Sequence, residues 1–407
     1  MPERANNLIR ESAWAARFTS RWHRGAASRH ESRGGEAPRR DRPLRILFAT
    51  ARYLPYSGGT EIHTYEIAKR LAALGAEVAV ASTVSGNVGP RESVEDGVRV
   101  LRVRAWPPNR DYYLAPALAK IVRNSRTDII HCQGYHTLVA PIVMLAALSA
   151  RIPYVVTLHS GGHSSRLRHW LRPLQAWLLR PLLSRAHRLV AVSAFEADLF
   201  ARRLRLPPSA FVVIPSGVDM PVVPAEPRST LPPLVVSVGR LESYKGHQRV
   251  MEAVPILRRA RGPGIRVRFV GGGTYEPQLR RLAHRLGVED TVEIGSIPPE
   301  DRAEMVRVLS QASVVASLSS YESQGLAMQE ALALGRPLVV SSDTALGELA
   351  KYPNVRAVAG QASSDGVAQA ILELLDAPAT APPRMPTWDE SASALLSLYE
   401  EMLAQER

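Results

Sequence analysis

At 407 residues and 45% hydrophobic content the chain can build two sizeable cores, which excludes a disordered or fibrous protein. Its single cysteine, Cys132, excludes an internal disulfide framework and fits a reducing compartment. The net charge of +13 raises nucleic acid as a partner, but +6 of it lies in residues 1–45 and +6 in 160–190, with no RNP-type aromatic pattern, so a nucleic-acid role is set aside.

Residues 1–42 are polar, Arg-rich and aperiodic, and read as a disordered basic extension without the apolar stretch of a secretory signal. Leu44 to Thr50 reads as a buried strand and Ala76 to Ser82 as the next. Between them Ser57-Gly58-Gly59-Thr60-Glu61 opens a helix that Gly75 ends. A Gly-Gly pair there lets backbone amides approach an anion, although a plain strand–helix turn has the same look. Strand 98–103, helix 113–124, strand 128–133, helix 136–149 and strand Tyr154 to His159 follow. Strands separated by helices imply a parallel sheet covered on both faces. The apolar run Thr137 to Ala150 is too short to span a bilayer.

His159 closes its strand at the carboxyl edge, where ligands bind, while His131 and His136 read as structural. The segment Arg166 to Arg188 holds a helix with Trp170, Trp177 and six arginines. It reads either as a packed helix with a solvated basic rim or as a contact with an anionic membrane surface. Strand Leu189 to Ser193, helix Phe195 to Leu204 and strand Val212 to Pro215 complete a first domain, 43–220.

Five prolines mark 221–233 as a linker. A second alternation begins with strand Leu234 to Val238 and the turn that carries Arg240 and Lys245, a fair setting for a diphosphate. Strand Val267 to Val270 runs into Gly271-Gly272-Gly273, which lacks the dinucleotide-binding spacing. Strand Thr291 to Ile294 and helix 299–310 lead to a buried run, Ser313 to Leu318. The stretch Ser319 to Pro337 then gives a loop with Glu322, a helix with Glu330, and a stop at Gly335 and Pro337. The amides of Gly325 and Leu326 fall near that helix start. A second domain, 234–386, ends in a Pro-rich break, and a helix occupies 387–407.

Two nearby carboxylates first suggest a glycosidase, whose pair must lie within about 5–10 Å. Residues eight apart on a straight helix are about 12 Å apart along the axis, so two contacts on a longer ligand fit more easily. Solvated acids flanking a helix remain the plainer alternative.

Taken together, Ser57 to Glu61, Thr157-Leu158-His159-Ser160, Ile214 to Asp219, Gly239-Arg240-Leu241 with Lys245-Gly246, Val270 to Gly273 and the Glu322–Glu330 element resemble the retaining glycosyltransferases of family four over about residues 44–403. The resemblance implies the α/β GT-B architecture, two Rossmann-like domains facing a cleft, with the last helix crossing back to the first. It implies transfer of a hexose from a UDP- or GDP-linked sugar to a glycan, lipid-linked or small-molecule acceptor, in cell-envelope or exopolysaccharide synthesis, with no cofactor and no metal. Arg240 and Lys245 would hold the donor diphosphate, Glu330 the ribose, Glu322 and His159 the donor sugar. The Gly325 and Leu326 amides would take a phosphate oxygen, with Gly58, Gly59, Gly272 and Gly273 completing the donor site. Gln324 departs from the aromatic, and Gly272 from the acid, that such enzymes usually carry. Competing readings are a nucleotide-sugar epimerase of the same architecture and an inactive sugar-nucleotide binding protein with a basic tail. The chain reads as cytoplasmic, peripheral at the inner face of the plasma membrane if the basic helix docks there.

Overall fold

The computed structural model describes residues 42–56, 58–84, 90–107, 113–159, 166–220, 232–298 and 301–405, with the backbone alone at 166–172. The basic extension expected at 1–42 and the linker expected at 221–233 lie almost wholly outside the described residues, as do Ser57 and Ser160-Gly161-Gly162.

The first sheet draws on β1 (Arg45–Thr50), β2 (Glu77–Val84), β3 (Glu92–Glu95), β4 (Val98–Arg104), β5 (Ile129–Gln133), β6 (Tyr154–Thr157), β7 (Arg188–Ala191) and β8 (Phe211–Val213). Their order is β3-β4-β2-β1-β5-β6-β7-β8, parallel except for the β3–β4 pair. The helices between them are α1 (Gly59–Ala73), α2 (Ala117–Asn124), α3 (Val139–Ala150), α4 (Arg166–Leu183) and α5 (Ala194–Leu204). Strand β5 is buried along its whole length, because helices cover both faces of a parallel sheet. Val143 and Met144 of α3 and Phe200 of α5 pack with Leu47 and Tyr154 in one core.

The second sheet is wholly parallel, in the order β11-β10-β9-β12-β13-β14. Its strands are β9 (Leu234–Val238), β10 (Arg266–Val270), β11 (Val292–Gly295), β12 (Val314–Ser317), β13 (Leu338–Ser341) and β14 (Val355–Val358). On one face α6 (His247–Arg261), α7 (Glu276–Leu286) and α10 (Ser364–Asp376) bury Met251, Leu257, Leu279 and Ile371 around Phe269. On the other, α8 (Arg302–Gln311) and α9 (Leu326–Ala333) bury Leu309, Met328 and Leu332.

A last helix, α11 (Trp388–Gln405), packs along α1 of the first sheet. Its Tyr399 hydroxyl reaches His131 Nδ1, and His131 Nε2 meets Thr157 Oγ1 at 2.7 Å. Arg70 of α1 binds Glu66, Asp219 and Asp389 at once, gathering three segments on one guanidinium. The chain leaves the first sheet beside its own return: Val218 N donates to Pro386 O at 2.8 Å, and Ser391 Oγ to Pro215 O at 2.7 Å.

Some boundaries differ from the sequence reading, each for a local reason. The helix expected at 113–124 starts at Ala117, because Leu114 pairs with Trp106 and Tyr113 takes a left-handed φ of 51°. The helix expected from 136 starts at Val139. Strand β3, not anticipated, forms a hairpin with β4 over Asp96 and Gly97, whose φ values of 49° and 77° make the tight reversal. Strand β14 and α10 were also passed over.

At this junction Gly217 is tightly packed, since a Cβ there would lie 2.0 Å from the Trp388 backbone nitrogen. We expect Gly217→Ala to lower unfolding free energy by about 1–3 kcal/mol, the usual cost of forced overpacking. Urea denaturation checks this, and an unchanged midpoint would mean that the junction yields freely.

Candidate functional site

In the second sheet the strand order reverses between β9 and β12, so the loops that leave these paired strands emerge side by side at the carboxyl edge. Such a switch point is where open α/β sheets bind ligands. The loops meet backbone to backbone: Gly246, at φ 75°, would place a Cβ 2.0 Å from Leu318 O, and Ser320 N donates to Tyr244 O at 2.8 Å. That closeness lets Lys245 Nζ donate to Glu322 Oε2 at 2.6 Å, with both side chains half-buried. Arg240 stays exposed and donates to the Tyr244 hydroxyl at 2.7 Å. Its backbone is pinned from behind by His247, whose Nε2–H donates to Arg240 O at 3.2 Å while Nδ1 meets Ser237 Oγ at 2.9 Å.

The glycines after β10 divide into two kinds. A Cβ at Gly271 would lie 1.9 Å from Gly239 O, and one at Gly273 2.3 Å from Leu241 O. Those two are accounted for by the packing of neighbouring loops. Gly272 has room, its nearest neighbour being Ser296 Cβ at 3.9 Å.

Gly325 caps α9 at φ 78°, and a Cβ there would strike Leu346 Cδ2 at 2.2 Å. The Met328 and Gln329 amides take the Gly325 carbonyl, which leaves the amides of Gly325 and Leu326 ahead of the helical ladder, free for an anion. Glu330 accepts from Arg302 at 2.8 Å. Each carboxylate thus has a cation of its own, Lys245 for Glu322 and Arg302 for Glu330.

From the first sheet, α1 begins at Gly59 after an extended Gly58, and the Glu61 carboxylate folds back to 2.4 Å from where a Gly58 Cβ would sit. Burial raises the Glu61 carboxyl above its usual range, while its own amide, Arg52 and Arg240 pull it down. Of these influences, Arg240, on the second sheet, is the weakest. His159, at φ 43°, is buried and donates from Nε2 to Gln133 Oε1 at 2.6 Å. Its ring meets the edge of His63 at 4.6 Å, and His63 Nδ1 meets Ser216 Oγ at 2.9 Å.

Arg240, Lys245, Glu322, Gly325, Leu326 and Glu330 therefore gather at the β9/β12 switch point, with Gly272 and Gly273 on the next loop. Gly58, Gly59 and His159 belong to the first sheet's edge. Sequence reasoning missed Glu61, His63, Gln133, Ser216 and His247. Glu61 and Ser216 stood within motifs that the sequence singles out, but without a role of their own. Among the described residues no three His, Cys, Asp or Glu side chains come together in a way that could hold a metal ion.

Comparison with known proteins matches the profile described as Glycosyltransferase Family 4 to residues 57–221 and that described as Glycosyl transferases group 1 to residues 224–387. The chain is 29% identical to glycogen synthase of Mycobacterium tuberculosis over 83% of its length and 87% of that protein. It is 27% identical to the GDP-mannose:cellobiosyl-diphosphopolyprenol alpha-mannosyltransferase of Komagataeibacter xylinus, over 76% and 79%. Among solved structures, sucrose-phosphate synthase of Thermosynechococcus elongatus superposes with TM-score 0.70 at 20% identity, over 89% of this chain and 100% of that one. Anabaena HepE in complex with UDP and glucose gives 0.65 at 19%, over 89% and 99%.

The histidines set the site's electrostatics by staying neutral. Burial pulls His63 and His247 down to about 4 and His131 to about 3, and holds His159 well below the usual range with His63 adding to the effect. An unfolded histidine takes its proton near pH 6.5, so below that the unfolded state binds protons that the folded state refuses. Stability is therefore fully present above about pH 6.5 and declines as pH falls towards 4, by up to about 1.4 kcal/mol per pH unit for each group. We expect these four imidazoles to keep neutral-form NMR shifts down to pH 5.5. Titration near 6.5 would contradict the buried network.

Proposed function

Since this chain belongs to glycosyltransferase family 4 and carries the group 1 glycosyl transferase domain, we propose that it moves a hexose from a UDP- or GDP-linked sugar to a glycan or lipid-linked acceptor, with retention and without a metal. The observation that carries this reading is the Lys245–Glu322 pair beside Arg240, with Glu322 on the loop that leads into the open amides of α9. A nucleoside diphosphate matches that arrangement. Its phosphates take the two cations and the Gly325 and Leu326 amides, with Gly59 approaching from the first sheet. The ribose hydroxyls take Glu330, and the transferred sugar takes Glu322 and His159.

Negative charge on the diphosphate rises as the glycosidic bond breaks. Arg240 and Lys245 therefore favour the transition state over the bound sugar nucleotide. They supply the positive charge that a metal would otherwise bring. With the carboxylates engaged in binding, the acceptor hydroxyl attacks from the face that the diphosphate leaves, and the leaving phosphate takes its proton. Retention follows. The names of the relatives, a glycogen synthase and an enzyme acting on a diphosphopolyprenol, support a glycan or lipid-linked acceptor, and we propose that the transfer serves cell-envelope or exopolysaccharide synthesis.

The test is a panel of nucleotide-sugars, following nucleoside diphosphate release with and without acceptors. Lys245→Ala should reduce turnover by about 10²–10³-fold, with a smaller loss of donor affinity. A normal rate would remove the site. Release without transfer to any acceptor would favour an epimerase or hydrolytic reading.

We also infer that the acceptor is met at an anionic membrane, the inner face of the plasma membrane. The observation in support is that Leu174, Trp177 and Leu178, spaced as one helix face, are all exposed on α4 beside exposed Arg180 and Arg185. Among the described residues no helix is long and apolar enough to cross a membrane. Each such arginine contributes about 1 kcal/mol at an anionic surface. The protein should sediment with phosphatidylserine vesicles at low salt and release at moderate salt. Trp177→Ser with Arg180→Glu and Arg185→Glu should abolish this, and no salt-sensitive binding by the unaltered protein would leave α4 as packing.

A further inference from the structure

Gln324 lies between Glu322 and Gly325 on the loop from β12 to α9, and it is 5% exposed. Its side-chain amide grips one residue of the first domain's exit segment from both sides. Oε1 accepts from Ser216 N at 2.9 Å, and Nε2 donates to Ser216 O at 2.9 Å. The second Nε2 hydrogen reaches Gln329 Oε1 at 3.1 Å on α9. A two-point contact to one residue's N–H and carbonyl fixes both distance and orientation, as a strand pairing would. Ser216 itself has little freedom, because Pro215 O holds Ser391 and Gly217 lies against the Trp388 backbone. From Ser216 the contacts continue to His63, then to the His159 ring, then to Gln133.

We propose that Gln324 is a positioning residue that locks the Glu322 loop to the Ser216 peptide, and through His63 sets the spacing between Glu322 and His159 before any ligand arrives. Two residues upstream it fixes the Glu322 carboxylate, and one residue downstream the amides that open α9. An apolar side chain of similar volume would fill the space and leave the Ser216 N–H and carbonyl buried without partners. The proposal's geometry stands by itself, while its effect on turnover rests on the sugar-transfer reading.

The experiment compares the full chain with Q324E and Q324M by small-angle X-ray scattering at pH 8 and pH 5.5. An ionised carboxylate still accepts from Ser216 N but meets Ser216 O with no proton, and burial raises the pH at which it regains one. Protonated, it donates as the amide does. Other groups facing this point are His63 behind Ser216, Lys245 and Glu322 on the adjoining loops, and Glu330 on α9. All of them are also present in the unaltered chain, which is measured beside the variant at each pH. Q324E should therefore scatter as a more open particle at pH 8 and match the unaltered chain at pH 5.5, whereas Q324M should be open at both.

The second readout is kcat/KM relative to the unaltered chain, with the nucleotide-sugar that the panel identifies. The ratio for Q324E should fall about 10²-fold at pH 8, the scale of a small misplacement, and recover at pH 5.5. Its KM should carry less of the loss than kcat. Scattering identical in all three proteins, or a Q324E ratio independent of pH, would overturn the lock. Should no nucleotide-sugar be turned over by the unaltered chain, the sugar-transfer reading fails, and scattering alone decides for or against Gln324.

Discussion

The whole arrangement depends on the close backbone approach of two loops. Gly246 presses its backbone on the Leu318 carbonyl, and any Cβ there would hold the loops after β9 and β12 apart. Remove that approach and Lys245 no longer reaches Glu322. The pair itself is no large source of stability. Two charges in contact attract by about 4 kcal/mol at the dielectric of a protein surface, and desolvation of two half-buried groups takes back a comparable amount. Its value is geometric, in that each charge holds the other at a defined place on the sheet edge.

Polarity at the site is divided between two tasks. Arg240 and Lys245 carry fixed positive charge at an accessible edge, where an incoming anion feels it before contact. The histidines behind them are sealed and neutral, and contribute direction instead of charge. His247 orients the Arg240 carbonyl, and His63 and Gln133 orient His159. A charged imidazole in those places would repel the adjacent cations and raise the cost of burial. The accessible groups carry charge and the buried ones hold direction.

The sheet alternation was legible because parallel strands are apolar on both faces, so β1, β9, β12 and β13 stand out as largely apolar runs. The switch-point residues were legible for the same reason, since Arg240, Lys245 and Glu322 directly follow two such strands. Strand β3 was not, because Glu92-Ser93-Val94-Glu95 lies at an edge and offers no apolar face to the core. The start of α2 was hidden by a bridge between Trp106 and Leu114 that no local propensity encodes. Least legible was Gln324. It was visible only as a departure from an expected aromatic, and its partner Ser216 is 108 residues away in sequence. A side chain whose meaning lies in one remote peptide leaves no periodic trace. His63 was silent likewise, sitting on the buried side of α1 where a core residue would be expected.

The chain passes from the first sheet to the second and back again through two strands that touch, Val218 bonded to Pro386. That contact brings the departure and the return of the chain to one narrow place. Ser216 lies two residues from it, so the Gln324 grip sits beside the seam and not at the rim of the sheets.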